Sequence, residues 1–363
     1  MKILFIHIAE KTKFGGAEKW LVNTASGLNK KGHDVVVGSV NNSEILKKVS
    51  EKGINTFGFR NHKYFSLITI IKVANFIRKN KFDIIITKRR DLFLSGLAAK
   101  LSTKPIVIVR SGSIPIYDVK KHISQTNKYA HGIITNTKTI KNFYLFNGIK
   151  NRDFIRVVYN GIIKDDEISP IDLSAIFPGK KVILSIGHLV KEKSYHDLID
   201  AATLLKRKRN DIVFLVLGDG YLYDELTKYA KKKKVDDHVH FIGYKDNTAE
   251  YLKACDLFIL TSHFEGMASS AMEALAYGKP VIMTNVNGAL ELTDNGRYAV
   301  LIRPGNHMEI AETIERVINN NQHYIKLSQE ASNYIRQTFT IESMIQRTED
   351  FLVESLELYN RKK

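Results

Sequence analysis

The chain has 363 residues, 44% hydrophobic and 26% charged, with 22 Gly, 6 Pro and a single Cys. That length is a soft prior for two domains, and the composition excludes disordered, fibrous and disulfide-framed classes. The formal net charge is +17, but residues 1–165 carry 30 basic and 10 acidic side chains while the remainder stands at −3. The opening Met1–Glu10 has one cation, a short apolar run and no small-residue cleavage site, so it reads as a first strand and not as a secretion signal. The longest apolar stretch, Phe65 to Ile77, is 13 residues long and broken by Lys72, short of the ~20 that cross a bilayer. A soluble cytoplasmic protein is expected.

Taken in chain order, short β-branched runs alternate with amphipathic stretches. Strands are predicted at Ile3–Ile8, Asp34–Val40, Asp83–Thr87, Ile106–Val109 and Gly132–Thr135, with helices at Ala17–Lys31 and Asp91–Leu101. Turn residues then accumulate from Tyr159 to Lys180, which marks a domain boundary. The alternation resumes with strands at Lys181–Ile186, Ile212–Leu217, Val239–Ile242, Asp256–Leu260, Val281–Met283 and Ala299–Ile302. Helices are predicted at Ser194–Lys206, Leu222–Lys232, Ser269–Ala276 and Met308–Ile318, and a last long one at Ile341–Tyr359. Continuous apolar strands separated by helices predict parallel sheets covered on both faces, hence two doubly wound α/β domains. Ligands of such domains bind outside the strand carboxyl ends, here in a cleft between the two.

Three loops fall at such ends. Gly15-Gly16 opens the first helix, where the backbone approaches a ligand closely and free amides attract an anion; the alternative is a plain tight turn with Glu18 on the helix dipole. Gly187-His188 to Lys193 follows the first strand of the second half and offers an ammonium to a diphosphate, or is simply a solvated charged loop. The third runs from Ser262 through Glu265-Gly266-Met267-Ala268-Ser269 into a helix bearing Glu273, and by Gly278-Lys279-Pro280 into the next strand. Ser269 or Ser270 is expected to cap that helix. The amides of Met267, Ala268 and Ser269 suit an anion, and Glu273 suits the two hydroxyls of a ribose.

Glu265 and Glu273, with seven residues between them and followed by Ala274-Leu275-Ala276-Tyr277-Gly278-Lys279-Pro280-Val281-Ile282, resemble the signature of the retaining GT-B glycosyltransferases of family four. The resemblance extends over nearly the whole chain, through Gly15-Gly16-Ala17-Glu18, Tyr159-Asn160-Gly161-Ile162, the Gly187–Lys193 loop, Gly218-Asp219-Gly220, Phe241-Ile242-Gly243 and Asn287-Gly288-Ala289-Leu290-Glu291. It implies two Rossmann-like domains facing across a cleft, an acceptor domain over 1–165 and a nucleotide-sugar domain over 166–340. The helix over 341–363 is expected to pack back on the first domain. It implies transfer with retention of configuration and without a metal or other cofactor. Carried over by position, Glu273 holds the ribose, Lys193 and the Gly16 amide the diphosphate, and Glu265 the donor sugar. Gly15, His188, Gly218, Gly243 and the Gly266–Ser269 loop complete the donor site. Two departures stand out: His188 occupies a position where the family commonly has arginine, and Val109-Arg110-Ser111 replaces a stretch where many members carry a histidine. Arg110 is therefore a candidate for the missing charge, or for an acceptor contact.

The acceptor cannot be read directly, but a basic first half favours an anionic or membrane-held one, such as a lipid-linked saccharide in surface-polysaccharide assembly. The segment His62–Lys81, mixing aliphatic and aromatic residues with cations, is suited to lie at an anionic membrane surface, or is an ordinary surface helix. No zinc finger, KH loop or RNP-type strand appears, so nucleic acid is not an expected partner. UDP-sugars are the expected donors. Two rivals share parts of the pattern: a non-hydrolysing sugar-nucleotide epimerase and a non-catalytic sugar-nucleotide-binding scaffold.

Overall fold

The computed structural model describes residues 1–8, 14–60, 66–115, 118–163 and 165–361. They form two compact units, Met1–Gly161 with Ile341–Lys363, and Ile162–Thr340. The first unit holds seven strands: β1 (Lys2–Ile6), β2 (Asp34–Val40), β3 (Asn55–Phe59), β4 (Ile84–Lys88), β5 (Ile106–Ser111), β6 (Gly132–Thr135) and β7 (Ile155–Val157). Their order is β3-β2-β1-β4-β5-β6-β7, every pair parallel. Strands covered on both faces need apolar side chains at every position, and alternate residues feed two separate cores. Ile3, Phe5, Ile84, Ile86, Ile106 and Ile108 pack on the helix Gly16–Lys30 on one face. Leu4, Ile6, Ile85, Val107 and Val109 pack on the helices Leu67–Asn80 and Leu92–Lys100 on the other.

The C-terminal helix, Ile341–Arg361, belongs to this first unit, as expected, and adds Met344, Ile345, Phe351 and Leu352 to its core. The approach is close. A Cβ on Gly27 would lie 2.1 Å from Ile345, and one on Gly132 would lie 2.9 Å from the Phe351 ring. Glu349 fastens the edge of this contact, accepting from Lys31 Nζ and His33 Nε2 at 2.7 Å each.

The second unit holds β8 (Lys181–Ile186), β9 (Ile212–Leu217), β10 (Val239–Phe241), β11 (Leu257–Leu260), β12 (Val281–Thr284) and β13 (Val300–Ile302), ordered β10-β9-β8-β11-β12-β13 and again all parallel. Ile183, Phe214, Val216, Ile259 and Ile282 meet Leu198, Ile199, Ala202 and Leu205 of the helix Tyr195–Lys206 in one core cluster. Strand order reverses between β1 and β4 in one sheet and between β8 and β11 in the other, and loops diverge at those points to leave room for a ligand.

Several elements differ from the sequence reading. β1 ends at Ile6, because His7 and Ile8 already turn away to face side chains of the site. β3 was hidden by its pattern: Asn55, Thr56 and Gly58 make an edge strand without an apolar run. β7 has three residues, too few to register, and the helices Glu44–Ser50, Val119–Tyr129, Lys138–Phe146 and Asn321–Thr338 lie where no helix was predicted. Of the predicted segment His62–Lys81, the helix begins at Leu67, and residues 61–65 lie outside those described.

Phe351→Ala is expected to cost the first unit about 3 to 5 kcal/mol by cavity formation. Calorimetry should show its transition lowered and that of the second unit unmoved.

Candidate active site

In the second unit the loops after β8, β9, β10 and β11 are joined by main-chain bonds. Gly187 N–H donates to Leu217 O (3.0 Å), Leu189 N–H to Asp219 O (3.0 Å) and Gly218 N–H to Gly243 O (2.9 Å). Gly218 has φ +147°, and a Cβ there would sit 1.9 Å from Gly187 O, so no other residue fits without moving the loop. Gly243, with φ +74°, is likewise in the region that favours glycine.

The lysine and the glutamate singled out from the sequence come together here. Lys193 ends the loop after β8, Glu265 lies on the loop after β11, and Lys193 Nζ donates to Glu265 Oε1 in an ion pair that is largely buried. Ser262 Oγ donates to the same oxygen at 3.0 Å. The surroundings hold both loops in place. Thr261 Oγ1 donates to Lys193 O (3.1 Å), and His263 N–H to Glu192 O (2.8 Å). Ser194, a non-glycine residue at φ +51°, has its hydroxyl 2.7 Å from Asp197 Oδ2 and 3.0 Å from His263 Nε2. A left-handed conformation of this kind is costly and persists only where neighbours fix it. Asn287, also at positive φ, donates to the main-chain oxygen of Glu265.

The helix bearing Glu273 runs Ser269–Ala276 with Glu273 at its fifth residue, half-buried. One expectation fails: neither Ser269 nor Ser270 caps this helix. The cap position is Ala268 and carries no side-chain bond, because helical geometry already includes both serines in the first turn. Gly266 and the side chains of Met267 and Ala268 are buried, while His188 is half-buried. Cys255 is buried and its thiol is pushed up to about 12 by that burial, which removes it as a nucleophile.

The first unit carries a second polar cluster at the β1/β4 reversal, and most of it was missed in the sequence. Glu18, on the first turn of the helix Gly16–Lys30, accepts from the Gly15 amide through Oε2 (3.0 Å). Its Oε1 lies 2.8 Å from His7 Nε2 and 2.6 Å from Lys88 Nζ. Behind it, Asp91 Oδ2 accepts from the Ile8 amide (3.0 Å) and lies 3.6 Å from His7 Nδ1. Burial on its own would raise the Glu18 carboxyl. The His7 hydrogen bond and the Lys88 charge outweigh it and hold the group far below the usual carboxylate range. Burial also lowers the Lys88 ammonium, against the pull of Glu18. Strand pairing sets Lys88 opposite Arg110. Arg110 is only 5% exposed. Its guanidinium lies 4.4 Å from the Trp20 ring and donates to Asn160 Oδ1 at 2.9 Å, while Nε has no hydrogen-bond partner among the described residues. Burial brings it down to about 10, opposed by Glu18. A sequence signal for this cluster did exist: Glu18 three residues after Gly15 is a capping-box spacing, and a histidine closing an apolar strand is poorly explained by packing.

Among the described residues no group of three or more His, Cys, Asp or Glu is placed to hold a metal ion, and no helix is long and apolar enough to cross a membrane.

Residues 14–166 match the family described as Glycosyltransferase Family 4, and residues 171–338 match Glycosyl transferases group 1. The chain is 24% identical to the lipopolysaccharide core biosynthesis glycosyltransferase LpsE of Rhizobium meliloti, over 95% of this chain and 96% of that protein. It is 29% identical to an N-acetylgalactosaminyltransferase of Campylobacter jejuni named for a diphospho-undecaprenol substrate, over 46% of this chain and 45% of that one. Among solved structures, Anabaena HepE in complex with UDP and glucose superposes with a TM-score of 0.86 at 22% identity, covering 98% of this chain and 100% of that one.

Glu18→Gln leaves Lys88 and His7 without their carboxylate and is expected to destabilise the first unit by about 3 kcal/mol at neutral pH. Because the native carboxyl titrates below its unfolded value, this stabilisation is present at neutral pH and is lost as pH falls through the acid range. Denaturation of the two proteins should therefore differ at pH 7 and converge in strong acid.

Proposed function

The chain belongs to the GT-B glycosyltransferases of family four, and from that premise we propose that it transfers a sugar from a nucleoside-diphosphate sugar, most simply a UDP-sugar, with retention of anomeric configuration. The observation that carries this reading is the Lys193–Glu265 pair beside the β8/β11 reversal of the second unit. In the proposed donor complex the pair opens. Lys193 turns to the diphosphate and Glu265 to hydroxyls of the sugar, while Glu273 accepts from the ribose. Amides of Gly16 and of the loop Met267–Ser269, with His188, complete the anion contacts, and Gly15, Gly218, Gly243 and Gly266 keep the backbone open to the ligand.

The proposed chemistry is electrostatic. The bond from the anomeric carbon to the diphosphate oxygen breaks as the acceptor oxygen bonds the same face, and the acceptor proton passes to the departing phosphate oxygen. Lys193 offsets the negative charge that builds on the leaving group, and Arg110 is assigned a second positive charge. No step requires a metal. The second unit is assigned the donor and the first, with its basic excess, the acceptor.

The names of LpsE and of the Campylobacter enzyme support a saccharide or lipid-linked acceptor in surface-polysaccharide assembly, and HepE's complex supports a UDP donor. The basic first unit supports a peripheral position on an anionic membrane surface facing the cytoplasm.

UDP at 100 times its dissociation constant should stabilise the protein by about 2.7 kcal/mol in a thermal shift. Release of UDP from a UDP-sugar should depend on added acceptor, which separates a transferase from an epimerase. Lys193→Ala should lower kcat about 100- to 1,000-fold, and Glu273→Ala should act chiefly on donor KM. Failure of every nucleoside diphosphate to shift the melting curve would contradict the reading.

A further inference from the structure

The helix Leu67–Asn80 buries Ile70, Val73, Ala74 and Ile77 in the first unit. Among the described residues nothing covers the aliphatic start of its opposite face. Leu67, Ile68 and Ile71 are 70%, 74% and 54% exposed. At spacings of one, three and four residues they make one contiguous apolar patch over the first turn and a half. Isolated exposed aliphatics are ordinary on a protein surface, but three neighbouring ones on one helix are not.

The same outward face then becomes cationic. Lys72, Arg78, Lys79 and Lys81 follow along or beyond the helix, and from Ser66 to Phe82 there is no acidic residue. Arg78 donates to Leu101 O at 2.6 Å, which brings half-exposed Leu101 beside the cationic end. Lys72 donates to Gly58 O at 3.2 Å and stands over the Phe57 ring. An apolar wedge bordered by cations on a helix whose inner face is fixed to a folded unit matches the boundary of a bilayer. Aliphatic side chains enter the acyl region while the cations meet phosphate head groups.

We propose that Leu67, Ile68 and Ile71, with Lys72, Arg78, Lys79 and Lys81, form the surface by which this chain docks on an anionic lipid bilayer. It deepens the peripheral placement proposed above and rests on that reading for its purpose, but its chemistry is independent of the donor site. The occupant is lipid because the complementary charge demanded by Lys72, Arg78, Lys79 and Lys81 is diffuse and negative, and because the aliphatic patch beside them is exposed.

The test is flotation of the full chain with vesicles of phosphatidylcholine alone and of phosphatidylcholine with phosphatidylglycerol. The wild type should bind the anionic vesicles at low salt and release them at high salt. Lys79→Glu, removing one cation and adding an anion, should weaken that binding about tenfold or more, at about fivefold per charge. The triple variant Leu67→Ser, Ile68→Ser, Ile71→Ser should lose at least tenfold in partitioning, while Phe146→Ser, at an exposed aromatic elsewhere on the same unit, should change nothing. UDP release with a water-soluble acceptor should be unaltered in the triple variant. Wild-type protein that ignores anionic vesicles, or a triple variant that binds as the wild type does, would overturn the proposal. So would a dimer in sedimentation that the triple substitution dissolves, which would give the face to a second copy. Vesicle binding without any nucleotide response would instead leave this surface standing and remove the donor assignment.

Discussion

The ion pair between Lys193 and Glu265 is the constraint on which the candidate site of the second unit is built. It joins the loops that follow β8 and β11, the two strands between which the sheet reverses, so neither loop is free to choose its own geometry. Both side chains are mostly withdrawn from water. A charge in that position is costly to leave alone, and in the proposed donor complex a ligand has to offer each partner a replacement. A diphosphate next to a polyhydroxylated sugar is such a ligand: it presents an anion to the ammonium and hydroxyl donors to the carboxylate.

The first unit uses the corresponding place differently. At the β1/β4 reversal it gathers Glu18, His7, Lys88 and Asp91 into a buried network, with Arg110 close enough to feel the Glu18 charge. Through Oε2 Glu18 also holds the Gly15 amide, so the network fixes the start of the helix Gly16–Lys30. A glycine turn that would otherwise sample many conformations is thereby held at one. The guanidinium of Arg110 rests on Trp20 and Asn160 and pairs with no carboxylate among the described residues. Its positive charge is accordingly available as field more than as contact.

Much of this was legible in the residues. β2, β8 and β9 coincide with their predicted limits because their apolar runs are long and bounded by polar residues, as two-faced burial requires. The C-terminal helix announced its buried stripe through Met344, Ile345, Phe351 and Leu352. Glu265, Glu273 and Lys193 stood out because a family pattern fixes their spacing. The cap of the helix Ser269–Ala276 was misread because a serine pair looks the same whether it precedes the first turn or lies within it. The network around Glu18 was concealed for another reason: His7, Glu18, Lys88 and Asp91 lie as much as 84 positions apart in the chain, and only the parallel pairing of β1 with β4 brings them together. Local pattern carries no information about such a meeting.

The most direct test of the account is calorimetric titration of UDP into the wild type, Lys193→Ala and Glu265→Gln. If the ion pair is a placeholder for the donor, UDP binds the wild type, binds Lys193→Ala at least tenfold more weakly, and binds Glu265→Gln no less tightly than the wild type, since the ammonium no longer has to leave a carboxylate. Absence of heat with the wild type, or equal losses in the two variants, would contradict it.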